Sequence, residues 1–169
     1  MQQPEPLIVT LTLDPDAQEY FDRLRQAHFP PSRNYLAAHV TLFHALPGEE
    51  LPAIDAAVTR RCDRSGFPID VTGVRCLGRG VAYTLRSAEL DALRGSLAAE
   101  WRPWLTRQDR QRWSSHITVQ NKVAPETARA LCESLAATFS GRTVTACGVA
   151  VWQYRGGPWD PVSRHLFRG

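Results

Sequence analysis

Two short segments of the chain carry matching chemistry. His39-Val40-Thr41-Leu42 and His116-Ile117-Thr118-Val119 each place a histidine, an aliphatic, a threonine and an aliphatic in that order. A free imidazole has a pKa of about 6.5, so it can give or take a proton near neutral pH. Two imidazoles facing one space can divide that labour. A neutral ring takes a proton from a nucleophile, and a protonated ring gives one to a leaving oxygen. A threonine hydroxyl two residues on can donate to an anionic oxygen between the rings. A phosphodiester suits such a space, because it is negative and its cleavage needs a proton removed on one side and delivered on the other. No Asp, Glu or Cys stands at ligand spacing beside either segment, so no metal site is expected. The chain also lacks a Walker loop, a dinucleotide-binding glycine fingerprint and a G-x-S-x-G elbow, and no cofactor is expected.

These residues must be carried by elements that bring them together. A strand alternates its side chains, which puts His39, Thr41 and Phe43 on one face and Val40, Leu42 and His44 on the other. His116, Thr118 and Gln120 share a face in the same way. The first half reads as strand 7–13, helix 15–28 opened by Asp14 and Pro15, the first His-Thr strand, helix 49–62 and strand 67–78. The second half reads as strand 80–86, helix 88–101 opened by Ser87, the second His-Thr strand, helix 124–139 and strand 141–156, where Gly148 suggests a bulge. Segment 102–115 reads as a polar loop and the tail after 156 as irregular. The same order of elements therefore occurs twice, over about 7–77 and 80–155. A lone histidine in a strand is usually structural; two at equivalent places in a repeat point to one shared cleft.

The bulk properties agree. A chain of 169 residues suits one domain, and 43% hydrophobic residues supply a core. The net charge of +3 fits a local anionic site better than a surface that coats nucleic acid. Lys122 is the only lysine, and arginine grips phosphate with a planar fork. Cys62, Cys76, Cys132 and Cys147 have no metal-knuckle spacing and read as reduced thiols of a cytoplasmic protein. Neither a signal peptide nor a membrane-spanning run is expected.

The paired His39-Val40-Thr41-Leu42 and His116-Ile117-Thr118-Val119 segments resemble the H-x-T/S-aliphatic motifs of the 2H phosphoesterases. The likeness is greatest to the branch of 2′-5′ RNA ligase-like proteins and RNA 2′,3′-cyclic phosphodiesterases. The resemblance implies an α+β bilobal duplicated fold, with two antiparallel sheets around a central cleft and helices outside. It implies metal-independent opening of 2′,3′-cyclic phosphates on RNA 3′ ends or small nucleotides, with reversible 2′-5′ ligation as a related activity. His39 and His116 would form the acid–base pair, and Thr41 and Thr118 would hold the phosphate. The loops leading into the motifs offer further candidates. Arg33, Arg110 and Arg112 could steer phosphate, and Tyr35, Phe43 or Trp113 could stack on a base. The expected form is a monomer without membrane contact. Two other readings use the same cleft: a module that binds a nucleotide or RNA end without turning it over, and an enzyme for another cyclic phosphate or a 2′-5′ oligonucleotide.

Overall fold

Each half begins with a strand that is stopped by a helix cap. β1 (Leu7–Leu13) runs into α1 (Pro15–His28), where the Asp14 carboxylate accepts the Ala17 N–H at 3.1 Å and Pro15 opens the first turn. The computed structural model describes residues 4–169. Further along, the Ser87 hydroxyl accepts the Leu90 N–H at 3.1 Å and starts the helix that follows residues 81–86. The first half continues with β2 (Val40–Leu46), α2 (Leu51–Arg61) and β3 (Phe67–Cys76). The second runs β4 (Val81–Arg86), α3 (Ala88–Glu100), the single-turn α4 (Arg107–Arg110), β5 (His116–Gln120), α5 (Pro125–Thr138) and β6 (Arg142–Tyr154).

All strand pairs are antiparallel, in the order β2-β1-β6-β3-β4-β5. The two expected sheets share β6. Its beginning pairs with β3, from Arg142 opposite Val71 to Ala146 opposite Phe67. Its other edge carries β1 from Ala146 to Gln153. Between the register pairs Leu13–Ala146 and Thr12–Gly148 one extra residue, Cys147, forms the bulge expected near Gly148. The third strand of each half thus joins the other half's sheet: β3 pairs with β4, and β6 with β1.

Three expectations need correction. The tail is not irregular: Trp159–Leu166 forms a strand, β7, on the edge of β6 that β3 leaves open. Pro158 and Pro161 disguise it, but proline is tolerated where a strand edge has no partner. Segment 102–115 holds α4, capped by the Thr106 hydroxyl on the Asp109 N–H at 3.3 Å. The cysteines are not all reduced. α5 packs on β3 and brings Cys132 against Cys76, with Cα atoms 5.7 Å apart, and the two form a disulfide; Cys62 and Cys147 are free.

The helices interlock the halves. α1 lies on β5, and Phe21 meets Tyr83 of β4 edge-on at 5.6 Å. Trp101, at the end of α3, meets Phe43 of β2 at 5.0 Å. One buried cluster consequently runs through both halves, from Val9 and Leu42 to Leu97 and Ile117. Among the described residues no helix is long and apolar enough to cross a membrane.

Candidate active site

The two motif strands, β2 and β5, are the outermost strands of the sheet path, and they approach each other. Two sheet edges facing one another would normally pair or be blocked. Here side chains take their carbonyls instead. The Trp113 indole N–H donates to the Thr41 carbonyl and Arg94 Nε to the Leu42 carbonyl, both at 3.1 Å. Arg25 Nη1 donates to the Thr118 carbonyl, also at 3.1 Å. These cross-links hold the two edges apart.

His39 immediately precedes β2, and His116 is the first residue of β5. Both residues are half-buried and are held in the same way. His39 Nδ1 donates to the Ala37 carbonyl at 2.8 Å, and His116 Nδ1 to the Ser114 carbonyl at 2.9 Å. A carbonyl only accepts, so the proton sits on Nδ1 and each Nε2 is left free to work. Burial pushes the His39 pKa down to about 4. The Ala37 carbonyl opposes this, while Arg25, His116 and His44 add to it. A pKa this low leaves the His39 ring neutral at pH 7. Thr41 and Thr118 are half-buried, and their carbonyls rather than their hydroxyls meet the cross-links just described.

A cavity of about 870 Å³ opens beside His39. Its walls include Thr10, Tyr35, Trp152, Trp159 and Arg164. The Trp159 ring lies 4.8 Å from the His39 ring, and Trp152 is 6.2 Å from Trp159. Trp152 is fixed by its N–H on the Thr10 hydroxyl at 2.9 Å. This aromatic wall comes from β6 and β7. Trp159 escapes a reading of the sequence because its strand does; a tryptophan just past Gly156-Gly157-Pro158 is the one available signal.

The other candidates separate clearly. Tyr35 is exposed and lines the cavity; Arg33, Arg110 and Arg112 are exposed and do not. Trp113 is half-buried and anchors its loop to β2. Phe43 departs from its expected role and is corrected here. It is fully buried against Trp101, with the Arg94 guanidinium 4.3 Å over its ring, and cannot stack on a ligand. The cause is a bulge: Thr10 pairs with Thr41, but Val9 pairs with Phe43, so Leu42 is an extra residue and the alternation breaks. β5 repeats it. Ala82 pairs with Thr118 and Val81 with Gln120, which leaves Val119 extra and turns Gln120 inward.

His44 belongs to a different assembly. Its Nδ1 lies 2.9 Å from the buried Asp109 carboxylate, which also accepts the His44 and Ala45 backbone N–H groups at 2.9 to 3.1 Å. That cluster fastens α4 to β2.

Comparison with known proteins adds a decisive observation: residues 13–158 match the family described as the 2′-5′ RNA ligase superfamily. The chain belongs to the 2′-5′ RNA ligase superfamily. The match spans both motifs and both halves of this superfamily member. No curated protein matches it in sequence. Solved structures share its fold. Escherichia coli LigT complexed with 3′-AMP is 18% identical over 99% of this chain and 100% of that one, with a TM-score of 0.67. The protein TT0787 of Thermus thermophilus is 17% identical over 97% and 98%, with a TM-score of 0.68. A structure described as a phosphoesterase is 19% identical over 99% and 100%, with a TM-score of 0.65. At such identities the likeness is one of fold.

Proposed function

We propose that this protein hydrolyses 2′,3′-cyclic phosphates on RNA 3′ ends or small nucleotides, with His39 and His116 as its acid–base pair. The observation that carries the reading is the duplicated ring geometry: each motif histidine has its Nδ1–H on the carbonyl two residues back, which frees its Nε2. Water attacks phosphorus while one imidazole takes its proton. The bond from phosphorus to one ribose oxygen breaks, and the other ring, as imidazolium, protonates that oxygen. The rings then exchange protons with solvent to reset. The Thr41 and Thr118 hydroxyls donate to the non-bridging oxygens. Trp159 and Tyr35 offer faces on which the terminal base stacks, a contact worth about 1–3 kcal/mol. Nucleotides as ligands are supported by the 3′-AMP in the related LigT structure. The chemistry needs no metal, because proton transfer and hydrogen bonds supply both of its requirements. The substrate is met by a cytoplasmic monomer.

The test is turnover of a 2′,3′-cyclic nucleotide and of a cyclic-phosphate RNA end in excess chelator. His39→Ala and His116→Ala should each lower kcat by roughly 10²–10⁴-fold, the usual worth of a general acid or base. Two active alanine variants would end the proposal.

A further inference from the structure

Arg25 stands in the last turn of α1 with only 4% of its surface exposed. Its Nε donates to the Asn34 side-chain oxygen and to the Leu36 carbonyl, and its Nη1 to the Thr118 carbonyl, all at 3.1 Å. The guanidinium also covers the Phe29 ring at 4.1 Å. Its acceptors are neutral, and the one carboxylate that acts on it, Asp22, does so through space. Burying a cation on neutral acceptors is costly, and an apolar side chain would fill the same volume without that cost. The charge and the fork therefore need a reason outside packing.

The reason lies in what the fork joins. Residues 34–36 lead directly into His39, and Thr118 stands two residues after His116. We propose that Arg25 is a positioning residue of the two-histidine centre: it fixes the span between the approach to His39 and the second motif strand, and sets a permanent positive charge beside the cleft. This inference rests on the reading of the cleft as a phosphodiesterase centre. The pseudo-twofold repeat supports it. Arg94, on the first helix of the second half, is 7% exposed and reaches back the other way, with Nε on the Leu42 carbonyl at 3.1 Å and Nη2 on the Asp109 carbonyl at 2.8 Å. Each half sends one buried arginine to the other half's motif strand. Only Arg25 of the two is among the charges that act on His39. The charges that act on that ring are Arg25 from α1, His44 from β2 and His116 from β5, and the cavity beside it is also lined by Glu19, Asp22 and Arg23 of α1, by Tyr35 and by Arg164 of β7.

Two variants separate span from charge. Arg25→Lys keeps the charge and loses the planar fork. It should lower kcat about tenfold or more, with KM within about threefold, because misplacing reacting groups by a fraction of an ångström weakens the transition state first. The His39 ring, followed by NMR, should titrate as in the native protein. Arg25→Gln removes the charge, so the His39 midpoint should rise by about half a pH unit or more. Arg94→Gln should leave that midpoint in place. The proposal is overturned by native kcat in Arg25→Lys, or by a native His39 midpoint in folded Arg25→Gln. Should Arg25→Gln not fold, the lysine variant decides. If the alanine variants of His39 and His116 stay active, the phosphodiesterase reading fails, while the His39 titration still reports on the charge.

Discussion

The bond between Cys76 and Cys132 makes a prediction that can be worked through. The two residues are separated by 56 positions. Closing a loop of that length removes chain entropy of roughly 14 cal/mol/K from the unfolded state, which is about 4 kcal/mol at 25 °C. Measured values more often fall at about 2–4 kcal/mol, because the reduced unfolded chain is not fully random. For a domain of this length each kcal/mol moves Tm by about 3 °C. Reduction, or the paired change Cys76→Ser with Cys132→Ser, should therefore lower Tm by about 6–12 °C. The bond clips α5 to β3, and neither cysteine lines the cavity beside His39, so activity at 25 °C should not change. The assay is thermal unfolding by circular dichroism with and without reductant, alongside thiol counting in denaturant. Oxidised protein should show the two thiols of Cys62 and Cys147, and reduced protein four. Four thiols without reductant, or melting points within about 2 °C of each other, would refute the reasoning. Rapid alkylation in the producing cells adds a second reading. A cytosolic pool keeps most thiols reduced, so a bond captured there would mark a clip that resists that environment.

Two further perturbations probe how the fold supports the cleft. A methyl at Gly148 would run into the His165 carbonyl, because β7 passes directly beside it. Gly148→Ala should push β7 outward, lower stability by about 1–3 kcal/mol and raise KM for a nucleotide, since Trp159 rides on that strand; unchanged KM and Tm would show that β7 carries no binding surface. For Asp109, burial pushes the carboxyl pKa up, but the His44 side chain and the His44 and Ala45 N–H groups outweigh it, and the net shift is downward. A depressed carboxyl pKa stabilises the fold above the unfolded value of about 4, and that stability is lost as pH falls through the folded value. Asp109→Ala should cost about 3 kcal/mol at pH 7 and flatten the acid limb of the stability profile; equal denaturation midpoints at pH 7 would refute this.

The sequence yields the elements that local chemistry dictates. The Asp14 and Ser87 caps, the helical spacing of α1, the repeat and the two histidines are all legible there. What stays hidden depends on long-range pairing. Strict alternation places Phe43 on the cleft face, and the bulge residue that follows the threonine in each motif strand, Leu42 or Val119, reverses that placement. No propensity marks a leucine or a valine as a bulge. Trp159 is hidden because β7 exists only through the edge that β6 offers where β3 departs. Arg25 reads as one more polar residue on an amphipathic helix; its role arises because α1 crosses to the opposite half and reaches Thr118.

The bulges themselves have a mechanical consequence for the cleft. A regular β2 would send His39, Thr41 and Phe43 to the same face, and the phenyl ring would compete for the space where phosphate is proposed to sit. The extra residue after each threonine ends the cleft-facing run at the hydroxyl and sends the next side chain, Phe43 or Gln120, into the core. The same step offers the Leu42 carbonyl to Arg94. The pattern His-x-Thr-x therefore stops where it does for a structural reason: beyond the threonine the strand serves packing between the halves. Lengthening the cleft-facing run by removing the bulge, through deletion of Leu42, would turn Phe43 back toward His39 and shift every later residue of β2 by one position. Such a variant should lose the Asp109 cluster along with activity, whereas Phe43→Leu, which only trims the buried ring, should cost stability and leave kcat near native. A Phe43→Leu variant of native stability with lost turnover would mean that the ring reaches the substrate after all.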